Sequence, residues 1–306
     1  MGIIWHMMHR VTEFHCLPPE GWQDYALIDS GHGRKLERFG RFHFIRPEPQ
    51  AMWTPFFDDS IWQAADGTFT ASAEDKGRWQ LSSHLPEKWD MQFDNIAFHA
   101  MPTPFRHLGF FPEQSPHWLW CAPKIEAFIT QHGRAPRLLN LFAYSGLASL
   151  HAARAGAEVT HIDASKKAIA QAFDNRALAS LDDAPIRFIT EDAGRFVYKE
   201  VRRGRQYDGI MLDPPKYGRG PKGEIWQIHE DLPQLLKGCR QLLSDTPLLF
   251  IITIYAIRTS TSAVASSIAD LLDGCGGQLE AGELAISEDR ENGRMIGQAL
   301  YVRWSA

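Results

Sequence analysis

The sequence is poor in paired cysteine, in excess positive charge and in long apolar runs, and each shortage removes a class of protein. Its four cysteines, Cys16, Cys121, Cys239 and Cys275, lie far apart with no CxxC pair. That spacing excludes a disulfide framework and a structural zinc site, and it fits reduced thiols in a cytoplasmic protein. No apolar run approaches the roughly 20 residues that a membrane helix needs. Met1–Arg10 contains Trp5, His6 and His9 but no charged start followed by an apolar stretch, so no secretory leader is expected. No His, Asp, Glu or Cys cluster has metal-ligand spacing, and no metal is expected. Lys and Arg number 32 against 37 Asp and Glu, a formal charge of −5. This balance argues against a broad phosphate-binding face. The basic cluster Arg34, Lys35, Arg38, Arg41 and Arg46 reads either as a solvated strand face or as a local contact for a polyanion.

What is present is a soluble globular composition over 306 residues, 44 % of them hydrophobic, enough for a sizeable core and about two domains. No repeat or low-complexity tract interrupts it. Up to about Met101, short aromatic or alternating runs (Tyr25–Ile28, Phe39–Ile45, Thr68–Ser72, Ile96–Met101) are broken by Gly, Pro and Asp. They predict a small β-rich N-terminal domain over residues 1–102. A helix is expected over Trp118–Gln131. From Leu138 onward strand runs alternate with helical patterns, which implies βαβ units in a second domain, residues 103–306. The expected strands are Leu138–Phe142, Glu158–Asp163, Ile186–Thr190, Tyr207–Leu212 and Leu248–Tyr255, then Gln278–Ser287 and Gly297–Trp304. Helices fit between them, at Ser145–Ala155, Lys166–Ala179, Ala193–Arg202, Ile228–Leu243 and Ser262–Leu272. Asn292-Gly293 is a turn signal that makes the last two strands a hairpin.

Four motifs sit at the ends of successive strands. After Leu138–Phe142 the chain turns through Ala143-Tyr144-Ser145-Gly146 into a helix, whose N-terminal N–H groups favour an anion. One glycine at such a turn is also ordinary geometry. Asp163, about 17 residues after Gly146, ends the second strand and can accept from ribose hydroxyls, or simply cap a helix. Glu191-Asp192 ends the third strand, where Asp192 can accept from an adenine amino group, cap the next helix, or both. Asp213-Pro214-Pro215-Lys216-Tyr217 ends the fourth. Its prolines remove two N–H donors and leave carbonyls, a carboxylate and a ring, a set that can hold a target amine and stack on a flat base. Ligands of open α/β sheets bind at these strand ends. A nicotinamide fold is disfavoured because GxGxxG is absent: Gly146 is followed by Ser149 and Ala152 where further glycines would stand.

At these residues the chain resembles the class I S-adenosylmethionine methyltransferases. It is most similar to the branch of large-subunit ribosomal RNA methyltransferases that includes the cytosine-C5 enzymes. The resemblance spans roughly Thr103 to Ala306 and includes His107-Leu108-Gly109-Phe110-Phe111-Pro112-Glu113-Gln114. It implies an α/β, Rossmann-like seven-stranded methyltransferase sheet, mostly parallel with a C-terminal antiparallel hairpin. It implies S-adenosyl-L-methionine as cofactor, held by Phe110, Gln114, Asn140, Phe142, Ala143, Tyr144, Ser145, Gly146, Asp163, Ala164, Ser165, Glu191, Asp192 and Asp213. It implies Asp213, Pro214, Pro215 and Tyr217 as the residues at the reaction, and an RNA substrate. The β texture of the N-terminal region is compatible with the small RNA-contacting domain of such enzymes.

One departure bears on the chemistry. Methylation at carbon 5 of a pyrimidine needs a cysteine thiolate to attack carbon 6, and in that branch the cysteine follows the fifth strand. Here the stretch reads Phe250-Ile251-Ile252-Thr253-Ile254-Tyr255-Ala256. A nitrogen target, which needs no covalent step, is therefore expected. The first reading is an RNA methyltransferase, with a basic face built from Lys216, Arg219, Lys222 and the N-terminal arginines. Its Gly218–Gly223 loop would contact phosphate, or is a mobile surface connection. The alternatives are the same chemistry on a protein side chain or small molecule, or a non-catalytic cofactor-binding module. No feature of the sequence fixes an oligomeric state.

Overall fold

The computed structural model describes residues 13–73, 76–255 and 257–306. The Met1–Arg10 segment and Ala256, both read above, lie outside the described residues. The N-terminal region contains β1 (Phe14–Leu17), β2 (Tyr25–Gly31), β3 (Arg34–Phe39), β4 (Phe42–Pro47), α1 (Asp59–Gln63), β5 (Gly67–Ala73) and β6 (Lys76–Leu81). The hairpin β7 (Trp89–Phe93) and β8 (Ile96–Ala100) comes next. Strands β2 to β6 form a five-stranded sheet in sequence order. The single strand expected at Phe39–Ile45 is two strands, because Gly40 takes a left-handed φ of 63° and folds the chain back.

The rest alternates helix and strand: α2 (Ser115–His132), β9 (Arg137–Leu141), α3 (Leu147–Arg154), β10 (Glu158–Asp163), α4 (Lys166–Leu178), β11 (Ile186–Thr190), α5 (Ala193–Arg202) and β12 (Gly209–Leu212). A short hairpin, β13 (Tyr217–Arg219) and β14 (Ile225–Gln227), then leads to α6 (Ile228–Leu242), β15 (Leu249–Tyr255), α7 (Thr261–Leu271), β16 (Gln278–Ser287) and β17 (Met295–Ser305). Asp192 caps α5 as expected, and Ser165 caps α4. Helix α2 starts earlier than Trp118, directly after a 3-10 turn at Pro112–Gln114.

These strands form one sheet in the order β1-β16-β17-β15-β12-β9-β10-β11. Strands β11, β10, β9, β12 and β15 are parallel, and β17 runs antiparallel to both β15 and β16. The seven expected strands are joined by an eighth, because β1 adds to the edge parallel to β16. Side chains alternate between the two faces, as strand geometry requires. On β15, Leu249 and Ile251 belong to one core, and Phe250, Ile252 and Ile254 to the other. The first core reaches α2 and α3 and continues to Phe39, Phe44, Met91 and Phe98 of the N-terminal strands. The second lies under α5, α6 and α7.

The basic cluster does not form one solvated face. Lys35 and Arg46 are buried. Arg46 donates to Glu37 through Nε (2.7 Å) and Nη2 (2.6 Å), and Lys35 pairs with Glu48 (3.3 Å) and donates to Gln298 on β17 (2.9 Å). Such charges remain ionised inside because each has a partner. Arg34 and Arg41 are exposed.

At the opposite end of the sheet from the ligand-binding strand ends, Asp208 is fully buried and accepts from Arg134 (2.6 and 2.9 Å), the Arg137 N–H (2.8 Å) and Ser244 (2.8 Å). Burial raises its pKa, but these donors outweigh burial and hold the carboxyl below its ordinary range. A depressed carboxyl stabilises the fold above its unfolded pKa, and the contribution is lost as pH falls through the folded value. Asp208→Ala should therefore cost roughly 2 kcal/mol in urea unfolding at pH 7, by stranding buried donors. The gap to wild type should close in acid, while cofactor affinity of the folded protein stays unchanged.

Candidate functional site

Parallel register brings the strand ends level. Leu141 is paired with Ile162 on one side and Leu212 on the other, and Leu212 with Ile252. Phe142, Asp163, Asp213 and Thr253 therefore leave the sheet along one rim. The loop after β9 is folded tightly there. Phe142 (φ 56°), Tyr144 (φ 47°) and Gly146 (φ 91°) are all left-handed. For the two aromatic residues this costs roughly 1–2 kcal/mol each. Hydrogen bonds offset the cost: the Ala143 N–H donates to Ile162 O (3.0 Å), Tyr144 N–H to Asp163 Oδ2 (2.9 Å), and Asn175 Nδ2 to Ser145 O (2.9 Å). A Cβ on Gly146 would stand 3.0 Å from the Ala172 Cβ. Backbone strain concentrated at one loop is a common mark of a ligand site.

Asp163 is fixed from both sides, since its Oδ1 accepts from the Ser165 N–H (2.8 Å). Burial nonetheless raises its pKa, against those two backbone bonds. Beneath the loop, Asn140 Nδ2 donates to Ser149 Oγ (2.9 Å), which meets His161 Nδ1 at 3.0 Å. Burial lowers the His161 pKa to about 3, so the ring is neutral.

The loop walls a narrow cleft, partly open to solvent. Phe142, Ala143, Tyr144, Ser145 and Gly146 form one side, and Gln114 and Asp213 another, with Asn140, Met211, Ile251 and Thr253 on the sheet floor. Gln114 Nε2 donates to Asp213 Oδ2 (3.0 Å) and to the Tyr255 hydroxyl (3.2 Å), and that hydroxyl donates to Glu113 Oε1 (3.1 Å). Burial first, then the Glu113 carboxyl, push the Asp213 pKa up to about 8, opposed by the Gln114 bond. Phe111 faces Tyr144 (5.9 Å between ring centres), Tyr255 (5.5 Å) and His107 (5.1 Å).

Of the residues chosen from sequence, Phe110, Gln114, Asn140, the Phe142–Gly146 loop and Asp213 line this cleft. Phe110 does so with its ring packed among Phe98 (4.7 Å), Trp22 and Phe39 (5.7 Å each), and the following residue, Phe111, carries the aromatic contacts to Tyr144 and Tyr255. Asp163, Ala164 and Ser165 do not line it; Asp163 is joined to the loop through the Tyr144 N–H. Glu191 is ion-paired with Lys199 and Arg195, and Asp192 accepts from the Arg195 N–H (2.8 Å) and lines a separate groove between α5 and α6. The Pro215 carbonyl accepts from Trp226 Nε1 (2.6 Å), and Tyr217 is exposed on the β13–β14 hairpin. That hairpin is the expected Gly218–Gly223 loop, with Arg219 and Lys222 exposed. Glu113, Tyr255, Thr253 and His117 were not chosen. Tyr255 ends the fifth strand at the same rim, so the strand-end rule used for the first four strands would have found it. His117 lines the cleft buried, with neither ring nitrogen hydrogen-bonded among the described residues.

No cysteine lines the cleft. Cys121 and Cys239 are buried, which pushes each thiol up to about 12. No described group of His, Cys, Asp and Glu could hold a metal ion, and no described helix is long and apolar enough to cross a membrane.

The donor set fits S-adenosylmethionine. A carboxylate between two N–H groups can accept from ribose hydroxyls, the glycine turn can take a carboxylate, and Met211 and Ile251 offer apolar contact to the sulfur-bearing chain. Comparisons with known proteins agree. Residues 125–235 match the family model described as conserved hypothetical protein 95. A stretch of 120 residues is 37 % identical to the ribosomal RNA large subunit methyltransferase K/L of Shewanella baltica, covering 39 % of this chain and 16 % of that protein. The ribosomal RNA large subunit methyltransferase I of Aeromonas salmonicida is 33 % identical over 113 residues, covering 37 % of this chain and 26 % of that one. The chain thus spans only about a sixth to a quarter of these relatives' lengths. The crystal structure of the SAM-dependent methyltransferase from Agrobacterium tumefaciens matches with a TM-score of 0.89 and 42 % identity, covering 100 % of this chain and 99 % of that chain. With that likeness over the full length, on an α/β fold whose first parallel strand ends in a strained glycine turn, the chain belongs to the family of S-adenosylmethionine-dependent methyltransferases.

Proposed function

We propose that this chain transfers a methyl group to a base of ribosomal RNA, at nitrogen rather than at cytosine C5. The observation that carries the reading is Asp213: an acceptor in the wall of the cofactor cleft, with no thiol beside it. The names of the ribosomal RNA relatives support the substrate class. Within this reading residues 103–306 carry the chemistry. Residues 13–73 and 76–102 form the small part that faces the substrate, with β1 as its anchor in the larger sheet.

S-adenosylmethionine supplies an electrophilic methyl on a positively charged sulfur. The Phe142–Gly146 turn and Asp163 would orient the carboxylate and ribose ends. Asp213 accepts a hydrogen bond from the target amine and turns its lone pair towards the methyl. Tyr217 and the Pro214-Pro215 corner offer a surface for the base ring. As the nitrogen–carbon bond forms and the carbon–sulfur bond breaks, the electron pair stays on sulfur. The surplus proton on nitrogen passes to the Asp213 carboxylate and then to water. Positioning and exclusion of water supply the acceleration, without a covalent intermediate. The thiols support this choice, since buried groups with a pKa near 12 present no thiolate.

Three outcomes are expected. Radiolabelled S-adenosylmethionine should label large-subunit RNA from a strain lacking the protein, with Asp213→Ala inactive, and nucleoside digestion should give an N-methylated base; 5-methylcytosine would overturn the nitrogen assignment. Asp163→Ala should weaken S-adenosylmethionine and S-adenosylhomocysteine alike, by about tenfold or more in calorimetry, since each loses its ribose acceptor. The rate should rise with pH through a midpoint near 8, as Asp213 ionises, and level off about one unit above it.

A further inference from the structure

We propose that Tyr255 and Glu113 are positioning residues for this site: through the side-chain amide of Gln114 they hold the Asp213 carboxylate with one oxygen reserved for the substrate nitrogen. The proposal rests on the methyl-transfer reading above and adds two residues to it.

The polarity of the hydrogen bonds carries it. A primary amide has two N–H groups, and those of Gln114 meet two acceptors, Asp213 Oδ2 at 3.0 Å and the Tyr255 hydroxyl oxygen at 3.2 Å. Because Tyr255 accepts from Gln114, its own proton is left for Glu113 Oε1 at 3.1 Å. The chain therefore runs one way, from Gln114 to Tyr255 to Glu113. A flipped amide would set its carbonyl oxygen against the Asp213 carboxylate and would take the N–H donor away from the Tyr255 oxygen. With Oδ2 engaged, Oδ1 is the oxygen left to accept from the amine. The Tyr255 hydroxyl is committed to this chain.

Glu113 anchors the far end. Burial raises its pKa, opposed first by Lys35 from β3, then by a backbone hydrogen bond and by Arg46 from β4. Glu37 on β3, Tyr25 on β2 and Tyr255 on β15 face it as well. The buried cations of the small sheet thus reach the site through Glu113, and Glu113 reaches Asp213 both by charge and through Tyr255 and Gln114.

Ionised Asp213 attracts the sulfonium of S-adenosylmethionine but not the neutral sulfur of S-adenosylhomocysteine. The ratio of the two dissociation constants, measured by calorimetry from pH 6 to 9.5, therefore reports Asp213 without any RNA. In wild type the preference for S-adenosylmethionine should rise about fivefold as Asp213 ionises. Glu113→Gln, which removes a neighbouring negative charge, should move the midpoint down by about one unit. Gln114→Leu should move it up, because the carboxylate loses a donor. Tyr255→Phe should also move it up, and Tyr255→Phe combined with Gln114→Leu should equal Gln114→Leu alone, as expected of a residue acting through another. A midpoint unmoved in Tyr255→Phe, or additive shifts in the double variant, would overturn the proposal. Should Glu113→Gln fail to fold, the conservative Tyr255→Phe still decides. Absence of RNA labelling with the midpoints moving as described would overturn the substrate reading and leave this arrangement standing.

Discussion

Strand β9 has a parallel neighbour on each side, and that arrangement governs the site. Leu141 is level with Ile162 and with Leu212, so the residue after each strand emerges at the same height. A slip of one residue in either pairing would turn Asp163 or Asp213 to the wrong face, because side chains alternate along a strand. Register in turn is fixed by the two cores, which take alternate residues of β9 and β15. The strained turn at Phe142–Gly146 is tolerated only because Ile162 and Asp163 stand beside it to accept its N–H groups. Packing sets the register, register sets the rim, and the rim sets the chemistry.

The legible part of the molecule is the part that obeys this rule locally. Gly146, Asp163 and Asp213 announce themselves because a polar or flexible residue ends an apolar run, and the order of strands and helices can be read from their periods. Phe110 and Phe111 lie in an irregular segment where no period says which ring faces the cleft. Lys35 and Arg46 look like surface residues because their partners are not adjacent in sequence: Glu37 and Glu48 stand beside them only in the folded sheet, and Gln298 comes from the other end of the chain. The pairing of β1 with β16 is hidden for the same reason.

Burial gives the site its electrostatic character. His107, His117 and His161 are held neutral by desolvation, with pKa values lowered to about 4, 3 and 3. Asp213 and Glu113 are shifted the other way, towards their protonated forms. The walls therefore carry few full charges, which suits a reaction in which a positive sulfur becomes neutral.

The edge strand Phe14–Leu17 is bonded to residues 281–284. Nearby, Asp289 N–H donates to Leu27 O, and Ser30 to Glu288 Oε1 at 2.6 Å. On the ribosome, these residues must wait until residues 281–289 have emerged before their partners exist. The small sheet can form its own ladder during synthesis, but its seat on the larger sheet is taken only after translation of the last hairpin. Such long-range closure is entropically slow. The seat of the small sheet on the larger one is therefore a late, long-range closure.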